Sequence, residues 1–233
     1  MSQALSSALQ VRPWRGGERA ALIVATIEGL APTVGAVSDC VASLSRSGHE
    51  VAFTGALPPA EQAPFLSAGF KVHERLHLLL HDLNELPPLP EGTRPHRARR
   101  TDRAEVLALD ARAFDDFWQL DDRGLDDALR ATPVSRFRLV RDQTVTGYAV
   151  CGRSGHRGYL QRLAVDSTVR RRGIGTALVV DGLRWLRRRN VRSVAVNTQE
   201  GNVPALALYE RLGFRLDPHG LAVLSLDVHR KGR

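Results

Sequence analysis

The chain has 233 residues, 43% of them apolar and 25% charged, with a formal net charge of +8 carried mostly by arginine. This is the composition of an ordinary soluble globular protein with enough apolar content for a core; its basic surface suits nucleotides, polyanions or acidic proteins but says nothing about fold. No apolar run approaches the ~18 residues of a membrane span, and residues 1–17 lack the apolar segment and cleavage site of a signal peptide. Cys40 and Cys151 lie far apart with no C-x-x-C pairing, which predicts idle thiols in a reducing, cytoplasmic setting.

In chain order, residues 1–18 read as a loose lead-in, since Pro13 and Gly16-Gly17 oppose regular structure. An apolar β-like run follows at 20–27, then a turn at 28–35. Val37, Val41 and Leu44 recur at helical spacing up to Gly48. A strand at 51–54, a helix at 59–67 with Gly69 as its C-cap, and a long strand at 70–83 complete a first lobe. His73, His77 and His81 share one face of that strand; without a cysteine or a second cluster, the spacing does not make a metal site, and none is expected. Pro87, Pro88, Gly92 and their neighbours form an extended, semi-rigid linker. The boundary is therefore placed between a lobe at 1–92 and a domain at 93–233.

The second domain opens on a basic strand at 96–100. Thr101-Asp102 caps a helix carrying Val106, Leu107 and Leu109, and Asp121-Asp122 precedes another. Residues 137–140 and 145–150 read as hairpin-paired strands. Then comes the stretch that matters most. Leu163, Ala164 and Val165 end a strand; Asp166-Ser167-Thr168 breaks it; Leu178, Val179, Leu183 and Leu186 recur as one face of a helix. Between strand and helix stands Arg170-Arg171-Arg172-Gly173-Ile174-Gly175-Thr176. Its glycines let backbone come close to a ligand. The helix start offers unpaired N–H groups and the positive dipole end, which suit a phosphate. G-x-G-x-x-G is absent, and no Gly-Lys-Ser/Thr follows, so neither a dinucleotide fingerprint nor a Walker loop is present.

The Arg170-x-x-Gly173-x-Gly175 loop resembles the acetyl-CoA pyrophosphate loop of the GCN5-related N-acetyltransferases (GNAT superfamily). Downstream, Asn202, Ala205, Leu208, Tyr209, Leu212, Gly213 and Phe214 are similar to the family's second motif, at the distance that the resemblance requires. The resemblance covers nearly all of the second domain and implies a mixed α/β sheet in the order β-α-α-β-β-β-α-β-α-β. It implies acetyl-CoA as co-substrate and an amine as acceptor. Backbone groups of Leu163, Ala164 and Val165 would meet the pantetheine arm; those of Arg171, Arg172, Gly173, Ile174, Gly175 and Thr176, with the charge of Arg170, would hold the pyrophosphate. Asn202 would bond the cofactor amide or fix its helix start, and Tyr209 would protonate the departing thiolate. The loop strand carries Gln161 and no carboxylate, so the general base stays open among Asp115, Asp116, His156, Glu200 and a water relay. Together the motifs look most like enzymes that acetylate protein N-termini or small amines, and two lobes in tandem also resemble mycothiol synthase.

The first lobe repeats the order of the second half of that domain: strand, short helix, Gly-Phe, strand. Phe65-Leu-Ser-Ala-Gly69-Phe70 lies over Tyr209-Glu-Arg-Leu-Gly213-Phe214. The copy has lost the arginine and glycines of the loop, offering Glu28 to Gly35 instead, and Phe65 has no hydroxyl. It is read as a degenerate half-domain that packs or shapes a cleft. A non-catalytic acyl-CoA-binding regulator is the rival reading, and a nucleic-acid role for Arg184 and Arg187–Arg189 the lesser one, since such runs usually suit a helix C-terminus. No membrane partner is expected; self-association into a homodimer is left open.

Overall fold

A computed structural model describes residues 9–14, 17–25 and 32–228. The turn read at 28–35, with Glu28, falls largely outside them. In chain order the elements are β1 (Leu9–Trp14), β2 (Gly17–Ala25), α1 (Val34–Arg46), β3 (Val51–Thr54), α2 (Pro59–Ser67), β4 (Lys71–His81), β5 (His96–Arg97), α3 (Arg103–Ala113), α4 (Asp122–Arg130), β6 (Val134–Arg141), β7 (Val145–Ser154), β8 (Arg157–Val165), α5 (Ile174–Arg187), β9 (Ser193–Gln199), α6 (Val203–Arg211), β10 (Arg215–Leu216) and β11 (Leu221–Asp227). Short 3-10 turns precede α3 (Arg100–Asp102) and follow β8 (Ser167–Val169). No helix among the described residues is long and apolar enough to cross a membrane.

Two compact units emerge: one holds the chain up to His77 together with the stretch from Pro218 onward, the other runs from Leu78 to Asp217. The division differs from the boundary read at 92/93. The last strand, β11, is built into the first unit, where it pairs antiparallel with β3 and with the Lys71–Leu76 part of β4. The end of β4 belongs to the second unit, where Leu79 and Leu80 pair with β10. A division drawn at a proline-rich linker cannot see such pairing between distant segments.

The first unit orders its strands β1-β2-β3-β11-β4. β2 and β3 run parallel, which demands a crossover, and α1 supplies it. β1 corrects the loose lead-in: it pairs antiparallel with β2. Pro13 is tolerated because β1 is an edge strand whose outer side needs no N–H donor. Val37, Phe65, Phe70 and Leu224 form the core of this unit. β4 carries His73 and His77, and the ring of His73 packs edge-on against Phe53.

The second unit orders its strands β9-β8-β7-β6-β5. β7 is buried along nearly its whole length, because both its faces are covered. Tyr148 and Val150 face the core of α3 and α4, while Ala149 and Cys151 face that of α5, the period-2 alternation of a strand. The linker is packed on its own unit: Leu86 and Leu89 lie against the α5-side core. His81 closes the end of β4 onto α6. Its Nδ1 accepts from the Leu83 N–H at 2.8 Å, which leaves the Nε2 hydrogen to donate to the Leu212 carbonyl at 3.0 Å. Burial lowers its pKa, which suits that neutral tautomer.

The helices α2 and α6 end alike. Gly69 (φ 99°) and Gly213 (φ 90°) each take the left-handed conformation past a helix end. Phe70 N–H donates to Phe65 O, and Phe214 N–H to Tyr209 O, both at 3.0 Å. These are the six-to-one bonds of a glycine-capped helix. The Phe65–Phe70 and Tyr209–Phe214 rings stand 5.3 and 5.6 Å apart.

Candidate active site

β8 ends at Val165, and Asp166 turns the chain. Its Oδ1 accepts from the Thr168 N–H (3.0 Å) and hydroxyl (2.7 Å), and its Oδ2 from Arg112 Nη2 (2.9 Å). Those bonds, the backbone one first, hold its carboxyl down at about 2. Arg170 is extended, Arg171 is left-handed at φ 64°, and Gly173 is left-handed at φ 78°. A non-glycine in that region costs about 1–2 kcal/mol. Left-handed residues among right-handed or extended ones are the kind of backbone that can turn successive N–H groups toward an anion. Gly173 caps α5 with no side-chain bond. The first helical bond of this end runs from Ala177 N–H to Gly173 O at 2.8 Å. Among the described residues, no hydrogen bond occupies the N–H groups of Arg171, Arg172, Gly173, Ile174, Gly175 or Thr176. The side chains of Arg170, Arg171 and Arg172 are exposed, whereas that of Ile174 turns into the core.

The strand beside this loop has an open edge. β8 and β9 pair in parallel only from Arg157–Ser193 to Tyr159–Ala195. On its other edge β8 stays paired with β7 to Val165. From Leu160 to Val165, including Leu163 and Ala164, the edge toward β9 therefore has no ladder partner among the described residues. An extended chain with amide groups could pair there as an added strand. α6 closes the far side: a Cβ placed on Gly175 would stand 3.2 Å from Leu208 Cδ2 and 3.6 Å from Val165 Cγ2. Loop, open strand edge and α6 thus converge at Gly175.

Asn202 caps α6, its Oδ1 accepting from Ala205 N–H at 3.3 Å, so of its two expected roles the structure shows the helix start. Tyr209, in the last turn of α6, is buried in the α5-side core. Its hydroxyl has no hydrogen-bond partner among the described residues. Burial, more than its neighbours, pushes its pKa above that of an ordinary phenol, so it remains a proton donor in alkaline solution.

The candidate bases fare differently. His156 sits in the turn before β8, at the end opposite the loop, with Nδ1 on the Asn190 carbonyl at 3.0 Å. A strand of that length spans about 27 Å, which removes His156 from the reacting end. Glu200 is exposed in the turn after β9. Asp116 accepts from Gln119 Nε2. Asp115 accepts from Trp118 N–H at 3.1 Å and from Gln199 Nε2, on β9, at 3.4 Å. Gln161 turns its Nε2 toward Thr132 Oγ1, and its buried Oε1 has no partner.

One constellation escapes the sequence reading. Asp110, on α3, is fully buried and accepts from Arg162 Nε (2.8 Å) and Nη2 (2.7 Å), from Leu120 N–H (2.7 Å) and from the Tyr148 hydroxyl. Arg162 also donates to Trp118 O at 2.6 Å and lies 3.5 Å from the centre of the Phe114 ring. Together they fasten the loop carrying Asp115 to β8. The available signal was an acid at the i+4 position from Val106 on the buried face of α3.

Known proteins share the fold and parts of the sequence. The chain superposes over 93% of its length on a tandem GNAT protein from the clavulanic acid biosynthesis pathway, with a TM-score of 0.69, 14% identity and 77% of that chain covered. The profile of the acetyltransferase (GNAT) family matches residues 101–214. A mycothiol acetyltransferase of Acidothermus cellulolyticus is 34% identical over 185 residues, which are 67% of this chain and 56% of that protein. N-alpha-acetyltransferase 30 of Xenopus laevis is 42% identical over 86 residues, 35% of this chain and 32% of that protein. The chain spans about half the length of the mycothiol acetyltransferases it matches. Fold and loop define the class, an α/β protein with the GNAT architecture. The chain belongs to the GCN5-related N-acetyltransferase superfamily.

Proposed function

We propose that this chain is an acetyl-CoA-dependent N-acetyltransferase acting on a primary amine, a small molecule or a protein N-terminus. The observation that carries the reading is the set of unoccupied amides from Arg171 to Thr176 beside the open edge of β8. Those amides and the α5 dipole suit a diphosphate, and Arg170, Arg171 and Arg172 add charge. The edge at Leu163–Val165 suits the amides of a pantetheine arm. The thioester would then lie near Tyr209.

The reaction is a direct displacement. The neutral amine attacks the thioester carbonyl carbon, a C–N bond forms, and the C–S bond breaks as the tetrahedral oxyanion collapses. Tyr209 gives its proton to the leaving sulfur. The proton lost by the amine returns through water, since Gln161 cannot accept one at neutral pH. The products are an acetamide and the free thiol. The first lobe we read as a degenerate half-domain, supported by its matching helix end and by Phe65 where Tyr209 carries a hydroxyl. Its role is to pack or to shape the acceptor cleft, with the functional division at 1–92 and 93–233.

Thermal shift with acetyl-CoA, followed by thiol release over a panel of amines and N-terminal peptides, tests the reading. A shift with thiol release above acetyl-CoA hydrolysis supports it. No shift overturns it, and a shift without turnover on any acceptor identifies a non-catalytic acyl-CoA-binding protein instead.

A further inference from the structure

The edge of the second unit formed by β5 and β6 carries more positive charge than its own carboxylates can neutralise. Arg97 on β5 stands directly opposite Arg138 on β6, and like charges in that position repel. Arg136 lies two residues away on the same strand face. Among the described residues the carboxylate that faces Arg138 is Asp181 of α5, and Arg136 already holds it with two bonds, Nε at 2.8 Å and Nη2 at 2.9 Å. Arg138 is left with a 3.7 Å contact to the same group. That contact is made by its Nε, which is buried and has no hydrogen-bond acceptor. Burial first, then Arg136 and Arg97, act against its charged form. A buried guanidinium N–H without an acceptor is costly to keep. Asp181, shared with Arg136, thus answers the charge of Arg138 only in part.

The surroundings indicate what kind of group would answer the rest. Arg97 also lines a cavity of about 810 Å³ whose wall continues through His96, Arg99 and Arg100. Among the described residues Arg97, Arg99 and Arg100 make no ion pair. Asp102 lines the same cavity, but it is taken by Arg141 Nη2 and the Arg99 N–H, and Arg141 is held by Glu105 as well. The unneutralised cations follow one another along the edge, and guanidinium groups match phosphate oxygens in paired geometry. A carboxylate would answer one of them; a chain of phosphates answers several.

We propose that the β5–β6 edge is an anion-binding groove for a phosphate chain, seated on Arg97 and Arg138 and continued by Arg99 and Arg100. The groove is separate from the loop at Arg171–Thr176: it lies beside Asp181, within α5, rather than at that helix's N-terminus. The inference therefore stands or falls independently of the acetyl-CoA reading. The phosphates can come from a free polyphosphate-type metabolite or from a nucleic-acid backbone, and the two sources are separable.

The test measures binding of inorganic tripolyphosphate by calorimetry and of a short single-stranded RNA by fluorescence anisotropy, on the full chain. Arg97→Gln and the double variant Arg97→Gln/Arg138→Gln are compared with the native protein, with acetyl-CoA binding as the control. The native protein is expected to bind at least one probe. The double variant should bind it about tenfold or more weakly, the equivalent of one lost charge-assisted contact, with its response to acetyl-CoA unchanged. RNA binding alone, with a steep salt dependence, assigns a nucleic-acid backbone; tripolyphosphate binding alone assigns a small polyphosphate. If neither probe binds, or if both variants bind as the native protein does, the proposal is wrong. Arg97 is exposed, so its single variant folds even if loss of Arg138 disturbs the edge.

Discussion

Replacing Asp110 by asparagine isolates the charge at the centre of the buried network. The carboxylate receives four donor groups: Arg162 Nε and Nη2, Leu120 N–H and the Tyr148 hydroxyl. An asparagine keeps one acceptor oxygen and turns an NH2 toward donors that have nothing to accept with. The Arg162 side chain is only 10% exposed, so its charge cannot recover water in place. Breaking one side of a buried ion pair costs about 3–5 kcal/mol. At roughly 3 °C per kcal/mol for a unit of this size, the melting temperature should fall by roughly 9–15 °C. Circular dichroism melts measure the fall, and Arg162→Met completes a double-mutant cycle. The pair Asp110→Asn/Arg162→Met should cost clearly less than the sum of the singles, because the uncompensated charge is gone. A single-variant cost below about 1 kcal/mol, the range of an exposed pair, would refute the argument that this pair fastens the Asp115 loop.

Four further outcomes follow from the same structure. Tyr209→Phe should lower turnover about a hundredfold, in the range of a lost general acid, with melting temperature and acetyl-CoA affinity unchanged because the hydroxyl bonds to nothing else; a variant with native turnover removes Tyr209 from the mechanism. Since burial raises the Tyr209 pKa, the native rate should show no loss from phenol ionisation as pH passes 10. Asp166 is held at about 2 in the folded chain, below an unfolded value near 4. Its stabilisation is present above about pH 4 and disappears as pH falls toward 2, and melts of Asp166→Asn should lack that part of the acid destabilisation. Finally, a Cβ at Gly182 would stand 2.5 Å from Cys151 Sγ. Gly182→Ala should therefore cost about 1–3 kcal/mol by overpacking, and Cys151→Ala should return much of it in a chemical denaturation series.

The parts of the fold and site that sequence discloses are those written in local chemistry. Arg170-x-x-Gly173-x-Gly175 is legible because a left-handed residue before a helix demands glycine, and Gly173 is at φ 78°. The ends of α2 and α6 are legible for the same reason. Arg171, also left-handed, carries no such mark, because its side chain does not reveal its backbone. β1 was hidden by Pro13, whose missing donor matters only if the strand is central. The exchange of β11 into the first unit could not be read, because pairing between Ser225 and Phe53 leaves no local pattern in either segment. The ion pair of Asp110 and Arg162 connects residues far apart in the chain, and each alone looks like one more charge in a chain rich in them.

The central claim is that the amides of Arg171 to Thr176 seat a diphosphate. Calorimetric titration with acetyl-CoA and with S-acetylpantetheine, which keeps the thioester and arm but lacks the nucleotide diphosphate, addresses it directly. Several charge-assisted bonds of about 1.5–3 kcal/mol each predict that the truncated compound binds at least about a hundredfold more weakly. Equal affinity for the two compounds would contradict the account.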